Sequence, residues 1–66
     1  MSEAEKFYNK HLENPDVWPE NRKQTEGWVD VIFGNYMDEW EKENPEQEMP
    51  EKMREELYEM VYAGVF

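Results

Sequence analysis

The sequence predicts a small all-α domain, a bundle of three helices at roughly residues 2–13, 20–43 and 50–63. Two observations predict this class. Apolar residues recur at helical spacing within each of the three segments. Pro15 and Pro45 lie between the segments and Pro50 opens the third one, and proline interrupts or starts a helix but is not tolerated inside one. With 66 residues, the chain is expected to form one domain, near the lower size limit for folding alone.

The first helix is predicted from its cap and its apolar face. Ser2 and Glu5 have the spacing of a capping box. The apolar face contains Ala4, Phe7, Tyr8, His11 and Leu12. Pro15 disfavours helical geometry at Asn14, so the helix should end at about that position. His11 has no second His or Cys to complete a metal site, so we interpret it as a half-buried histidine in a satisfied hydrogen bond.

A connector with two prolines follows the first helix. Asn14 is a candidate cap for a single turn, with Pro15 at the first position of that turn. Trp18 is too apolar for a free linker, and we expect it to fold back onto the core. The alternative is an exposed tryptophan that anchors a partner.

The central run, residues 25–40, is the densest apolar stretch of the chain. Read as a helix, it should bury Val29, Ile32, Phe33, Tyr36 and Trp40, with Gly27, Val31 and Asp38 facing outward. Read as a strand, residues 28–33 would alternate between two faces. The helix is favoured because its pattern continues to Trp40, whereas an isolated strand with no hairpin partner is not viable.

Two glycines share the back of the predicted central helix. Gly27 and Gly34 lie there with Val31 between them. One interpretation is a tolerated weakness or a bend of the helix around the core. The other is a shallow notch that lets a partner approach the backbone closely.

The third helix is predicted after the stop at Asn44 and Pro45, with Pro50 at its first position. Its apolar stripe contains Met49, Met53, Leu57, Met60 and Val61. A methionine stripe indicates core packing, or alternatively an adaptable binding surface. Gly64 is a candidate C-terminal cap. Val65 and Phe66 would then either close the bundle or protrude as an anchor.

The chain is strongly acidic, with 17 acidic and 7 basic residues and a formal charge of −10. The imbalance is concentrated in residues 38–59, which contain ten acidic and three basic residues. Such a surface repels phosphate backbones and anionic membranes, so we expect neither direct nucleic-acid binding nor membrane binding. A protein with a basic surface is the natural complement. The ten aromatic residues argue against a disordered acidic tail.

The sequence contains no motif for catalysis, metal binding or nucleotide binding. There is no Cys, one His, and only Ser2 and Thr25 carry an aliphatic hydroxyl, so nucleophilic catalysis lacks its parts. We therefore expect no enzymatic activity, no cofactor and no metal site. The chain also lacks a signal peptide, a transmembrane run and a lipidation signal, which predicts a cytoplasmic protein.

The best candidate for function is a carboxylate-rich face with tyrosines beside it. Its predicted partner-binding residues are Asp38, Glu39, Glu41, Glu43, Glu46, Glu48, Glu55, Tyr58 and Tyr62. Carboxylates steer a basic partner, and aromatic side chains supply contact area.

In size, charge and aromatic content the chain resembles the small, acidic, cysteine-free proteins that phages and mobile elements use to inhibit host proteins. The resemblance implies an inhibitor or regulator of a basic protein. One version is a nucleic-acid mimic, whose carboxylates occupy a groove evolved for phosphates. The alternative is a structural or assembly subunit that packs into a larger complex through apolar surfaces. A homodimer would also add burial to so small a core.

Overall fold

A computed structural model describes residues 2–20 and 26–65 of the chain. Three helices occupy these ranges, α1 (Glu3–Lys10), α2 (Glu26–Glu43) and α3 (Glu51–Val65), and the described residues contain no strand. The predicted all-α three-helix fold is confirmed. The strand alternative for residues 28–33 is wrong, because all six residues lie within α2.

Helix α1 begins as predicted but ends earlier. The Ser2 hydroxyl accepts a hydrogen bond from the Glu5 amide at 3.2 Å, so the N-cap is confirmed. The helix ends at Lys10 rather than near Glu13. Its last turn tightens through i→i+3 bonds, such as Leu12 N–H to the Asn9 carbonyl at 3.3 Å. This geometry turns Leu12 away from the predicted apolar face and leaves it 42% exposed.

The connector forms the turn expected around Asn14. The Asn14 side-chain oxygen accepts from the Asp16 amide at 3.0 Å, and its carbonyl accepts from Trp18 N–H at 2.8 Å. The turn buries Val17 and Trp18 in the core. The prediction that Trp18 folds back onto the core is confirmed, and the exposed anchor is wrong.

Helix α2 has the predicted faces. Val29, Ile32 and Tyr36 are fully buried, and Phe33 and Trp40 are partly buried against the core. Gly27, Val31 and Asp38 are exposed, as expected. The predicted start at Glu20 is wrong, because Glu20 lies in a turn. The remaining residues of the predicted first turns, 21–25, fall outside the described ranges.

Helix α3 begins after Pro50 and continues through Gly64. The Pro50 carbonyl accepts the first helical bond, from Arg54 N–H at 3.0 Å, so Pro50 precedes the helix rather than opening it. The predicted cap at Gly64 is wrong: Gly64 has no positive φ, and the helix extends to the buried Val65. A β-carbon on Gly64 would lie 2.5 Å from the Tyr8 hydroxyl, so the glycine makes room for α1. Phe66 lies outside the described residues.

One apolar core joins the three helices, with α3 against both α1 and α2. The buried apolar side chains are Ala4, Phe7, Val17, Trp18, Val29, Ile32, Tyr36, Met49, Met53, Leu57, Val61 and Val65. The methionine stripe of α3 is mostly core, since Met49 and Met53 are buried and Met60 is partly buried.

A buried hydrogen-bond chain crosses this core. The Trp18 indole N–H donates to the Tyr36 hydroxyl at 2.8 Å, and that hydroxyl donates to the Tyr8 carbonyl at 2.9 Å. The Asn35 amide donates to the Val17 carbonyl at 3.1 Å. Together these bonds tie α1 and the connector to α2. Burial raises the pKa of Tyr36 far above its ordinary value.

Candidate functional site

A concave surface lies where α2 ends, the 44–50 linker begins and α3 starts. The linker is held against α2 by the Trp40 indole, which donates to the Gln47 carbonyl at 2.9 Å. Met49 is buried beneath it. The space enclosed is about 520 Å³. We call this surface the acidic groove, because its lining includes the carboxylates Asp38, Glu41, Glu46 and Glu48 beside Met37, Trp40, Met49 and Arg54.

The four carboxylates of the acidic groove are not held in ion pairs within the described part of the fold. Arg54 is the one cationic side chain among the lining residues. The groove therefore combines net negative charge with the partly buried ring of Trp40. A guanidinium or ammonium group fits both features, since it pairs with carboxylates and is attracted to an indole face.

Two predicted site residues are already engaged within the fold. Glu39 pairs with Lys42 at 3.2 Å along α2. Glu43 pairs with Lys10 of α1 and with the His11 ring at 3.0 Å. The Lys10 ammonium, and then His11, hold the pKa of the Glu43 carboxyl below its ordinary value, against the opposing effect of burial. Glu43 thus connects α1 to α2 and is not the free carboxylate that the sequence pattern suggested.

The predicted interpretation of His11 is confirmed. The ring is 8% exposed. Its Nε2 lies 3.0 Å from a Glu43 oxygen, and its Nδ1 lies 3.2 Å from the Asn14 amide nitrogen. Its edge-to-face contact with Phe7, at 5.0 Å between centroids, completes a structural role for the ring.

A second, shallower depression lies beside the acidic groove. It holds about 360 Å³ between α2 and α3 and is lined by Phe33, Arg54, Glu55, Tyr58 and Glu59. We call it the aromatic depression. The rings of Phe33 and Tyr58 meet edge to face at 5.3 Å, and Tyr58 is 40% exposed. Arg54 lines both concavities, so Glu55 and Tyr58 adjoin the acidic groove.

The structure thus brings six of the nine predicted site residues to two adjoining surfaces. These six are Asp38, Glu41, Glu46 and Glu48 in the acidic groove, and Glu55 and Tyr58 in the aromatic depression. Glu39 and Glu43 are ion-paired, and Tyr62 is 47% exposed but lines neither surface.

The sequence pattern missed the other side chains of these surfaces. Trp40 and Met49 were predicted to pack in the core, and both also line the acidic groove together with Met37. Arg54 was counted only as a charge. No local sequence pattern signalled this groove, because its lining comes from α2, from the 44–50 linker and from α3.

The back of α2 is open at one of its glycines. A β-carbon on Gly34 would have no atom within 4 Å apart from its own helix and chain neighbours. Val31 beside it is 48% exposed. The two interpretations of this glycine, a tolerated weakness or a notch for a partner, therefore both stay open.

Metal binding and membrane insertion were also considered as properties of the described residues. The described residues contain no group of three or more His, Cys, Asp or Glu side chains arranged to hold a metal ion. None of the helices in the described ranges is long and apolar enough to cross a membrane. The two concavities place carboxylates beside aromatic side chains.

No protein-family model matches this chain, and no significant match was found among curated proteins or solved structures.

Proposed function

We propose that this chain is a small protein-binding module that inhibits or regulates a partner with a basic surface, and that the acidic groove receives a basic segment of that partner. The observation that carries the proposal is the set of unpaired carboxylates at Asp38, Glu41, Glu46 and Glu48. Other carboxylates of the chain, Glu39 and Glu43, are neutralised by neighbouring bases.

The shape of the groove supports insertion of a side chain. Its charge lines a concavity with Trp40 and Met49, so an entering Arg or Lys can lay its aliphatic stem on apolar surface while its charged end meets carboxylates. Nucleic-acid mimicry is one version of this proposal, in which the carboxylates stand in for phosphates. A basic protein that ordinarily binds nucleic acid still has the required side chains, and so remains a suitable partner.

The chain resembles small acidic phage and mobile-element proteins in size, charge and aromatic content. On this resemblance, the proposal includes a phage or mobile-element origin and action in the cytoplasm of a host. Long-range attraction from residues 38–59 would speed association with a basic host protein, and that rate would fall as salt screens the charges.

The test replaces three groove carboxylates, Glu41, Glu46 and Glu48, with Lys. The matched control places the same three charge reversals at Glu3, Glu13 and Glu20, which are exposed and line neither the acidic groove nor the aromatic depression. Both triples change net charge equally. Binding of a short fluorescent peptide containing Arg and Lys is measured over a range of salt concentrations.

The groove triple should weaken peptide binding at least about tenfold more than the control triple, or about 1.4 kcal/mol. It should also flatten the dependence of the association rate on salt. Equal losses from both triples would mean general attraction to an acidic surface and would refute the groove as the site.

A second candidate function is an assembly subunit that packs through apolar surface. It is favoured by exposed apolar side chains on the outer faces of α2 and α3, namely Val31, Tyr58 and Tyr62. Salt distinguishes the two functions once a partner is in hand. A complex formed through the acidic groove weakens steeply with salt, whereas one formed through these apolar residues changes little.

A further inference from the structure

The orientation of the Asn14 side chain determines where the His11 ring carries its proton. The Asp16 backbone N–H can only donate, and it lies 3.0 Å from one end of the Asn14 amide, which must therefore be the oxygen. The other end is then the amide nitrogen, 3.2 Å from His11 Nδ1. That nitrogen also only donates, so Nδ1 must accept with its lone pair. The ring proton is consequently on Nε2.

The opposite side of the ring agrees with this assignment. His11 Nε2 lies 3.0 Å from the Glu43 carboxylate, an acceptor for the Nε2 proton. Lys10 holds the other Glu43 oxygen and keeps the pKa of that carboxyl low, so Glu43 stays charged at neutral and mildly acidic pH. The ring also lies against Phe7 and against Tyr36 of α2, and the raised pKa of Tyr36 keeps its hydroxyl neutral.

A second proton on the ring has no acceptor at Nδ1. The new N–H would point at the Asn14 amide nitrogen, donor against donor. Rotating the amide would offer its oxygen to the ring but would turn its nitrogen toward the Asp16 N–H. One of the two hydrogen bonds of Asn14 must therefore be lost, whichever way the amide points.

We propose that His11 is a pH-sensitive latch on the turn of residues 14–18, which is closed while the ring is neutral and loosened when the ring is protonated. This turn carries Val17 and Trp18 into the core, and the Trp18 ring lies against Gly64 of α3. Histidine is the usual side chain of pH-sensitive switches in proteins. The latch is independent of the acidic groove.

The test is nuclear magnetic resonance of the ¹⁵N-labelled protein, titrated from pH 8 to pH 5, a range set by the ordinary titration of histidine. At the upper limit the His11 ring should show the Nε2–H tautomer. As the pH falls, the Asp16 amide resonance should follow the same titration curve as the ring carbons of His11, because the two share the Asn14 amide.

The matched variant is Asn14→Ser. A serine hydroxyl can still accept from the Asp16 amide, but it is too short to reach the His11 ring. The backbone bonds from the carbonyl of residue 14 to Val17 and Trp18 are unchanged by this substitution. In the variant, the Asp16 amide resonance should no longer shift as the pH is lowered through the His11 titration.

Three results would overturn the proposal: an Nδ1–H tautomer at the upper pH, an Asp16 amide that ignores the His11 titration, or coupling that persists in Asn14→Ser. Should that variant fail to fold, the tautomer and the coupling measured in the natural sequence still decide the matter.

Discussion

Tyr36 offers the most direct test of what holds the bundle together. The substitution Tyr36→Phe removes one oxygen and keeps the ring. The ring contacts with Tyr8, Phe7 and Trp18, at centroid separations of 5.5, 5.8 and 6.1 Å, are therefore retained. What changes is the buried hydrogen-bond chain.

The magnitude follows from the two partners of the Tyr36 hydroxyl. The Tyr8 carbonyl keeps a partner in the variant, because it also accepts from His11 N–H at 3.3 Å. The Trp18 indole N–H loses the acceptor that now lies 2.8 Å away, at a site where Tyr36 is 0% exposed. A buried donor deprived of its acceptor costs about 1–3 kcal/mol. We expect a loss of about 2 kcal/mol, which lowers the melting temperature of so small a domain by roughly 8–16 °C.

The assay is urea and thermal unfolding followed by far-ultraviolet circular dichroism. Tyr58→Phe is the matched control, because it removes the same atom from a tyrosine that is 40% exposed, and it should change stability by less than about 0.5 kcal/mol. A Tyr36→Phe protein with a native spectrum and the stability of the control would refute the reasoning. The hydroxyl would then contribute nothing to the fold.

Two further predictions concern the same core. Substitution by alanine should have opposite effects at Gly34 of α2 and at Gly64 of α3 when the free energy of unfolding is measured in urea. Gly34→Ala should stabilise the fold by about 0.5–1 kcal/mol, since its β-carbon meets nothing within 4 Å. Gly64→Ala should destabilise by about 1–3 kcal/mol, since its β-carbon would lie 2.5 Å from the Tyr8 hydroxyl and 3.1 Å from the Trp18 ring, and equal effects would contradict the placement of α1 on α3. Stability should also fall in alkali: burial raises the pKa of Tyr36 above the 10.0 of an exposed tyrosine, so its contribution is complete below pH 10.0 and is lost as the pH rises further. The free energy of unfolding measured from neutral to alkaline pH should therefore fall less in Tyr36→Phe than in the natural sequence, and parallel curves would contradict this assignment.

The sequence alone was enough to predict the helical class and the buried face of α2. Both depend on local information. The 3.6-residue period places Val29, Ile32 and Tyr36 on one side of any helix that forms, and Asn44 with Pro45 ends that helix whatever surrounds it. The cap at Ser2 is local in the same sense, because the hydroxyl reaches an amide only three residues away.

Only the tertiary structure decided which carboxylates are paired with bases inside the fold and which are not. Glu43 and Glu46 look alike in the sequence, yet the packing of α1 brings Lys10 and His11 to the first and leaves the second in the acidic groove. The sequence suggested that Gly64 caps the helix, but in the structure Tyr8, which is far away in the sequence, occupies the space beside it. Ion pairing and steric space depend on distances between segments that are far apart in the sequence, and no local pattern specifies those distances. The helices could therefore be predicted from the sequence, whereas the lining of the candidate site could not.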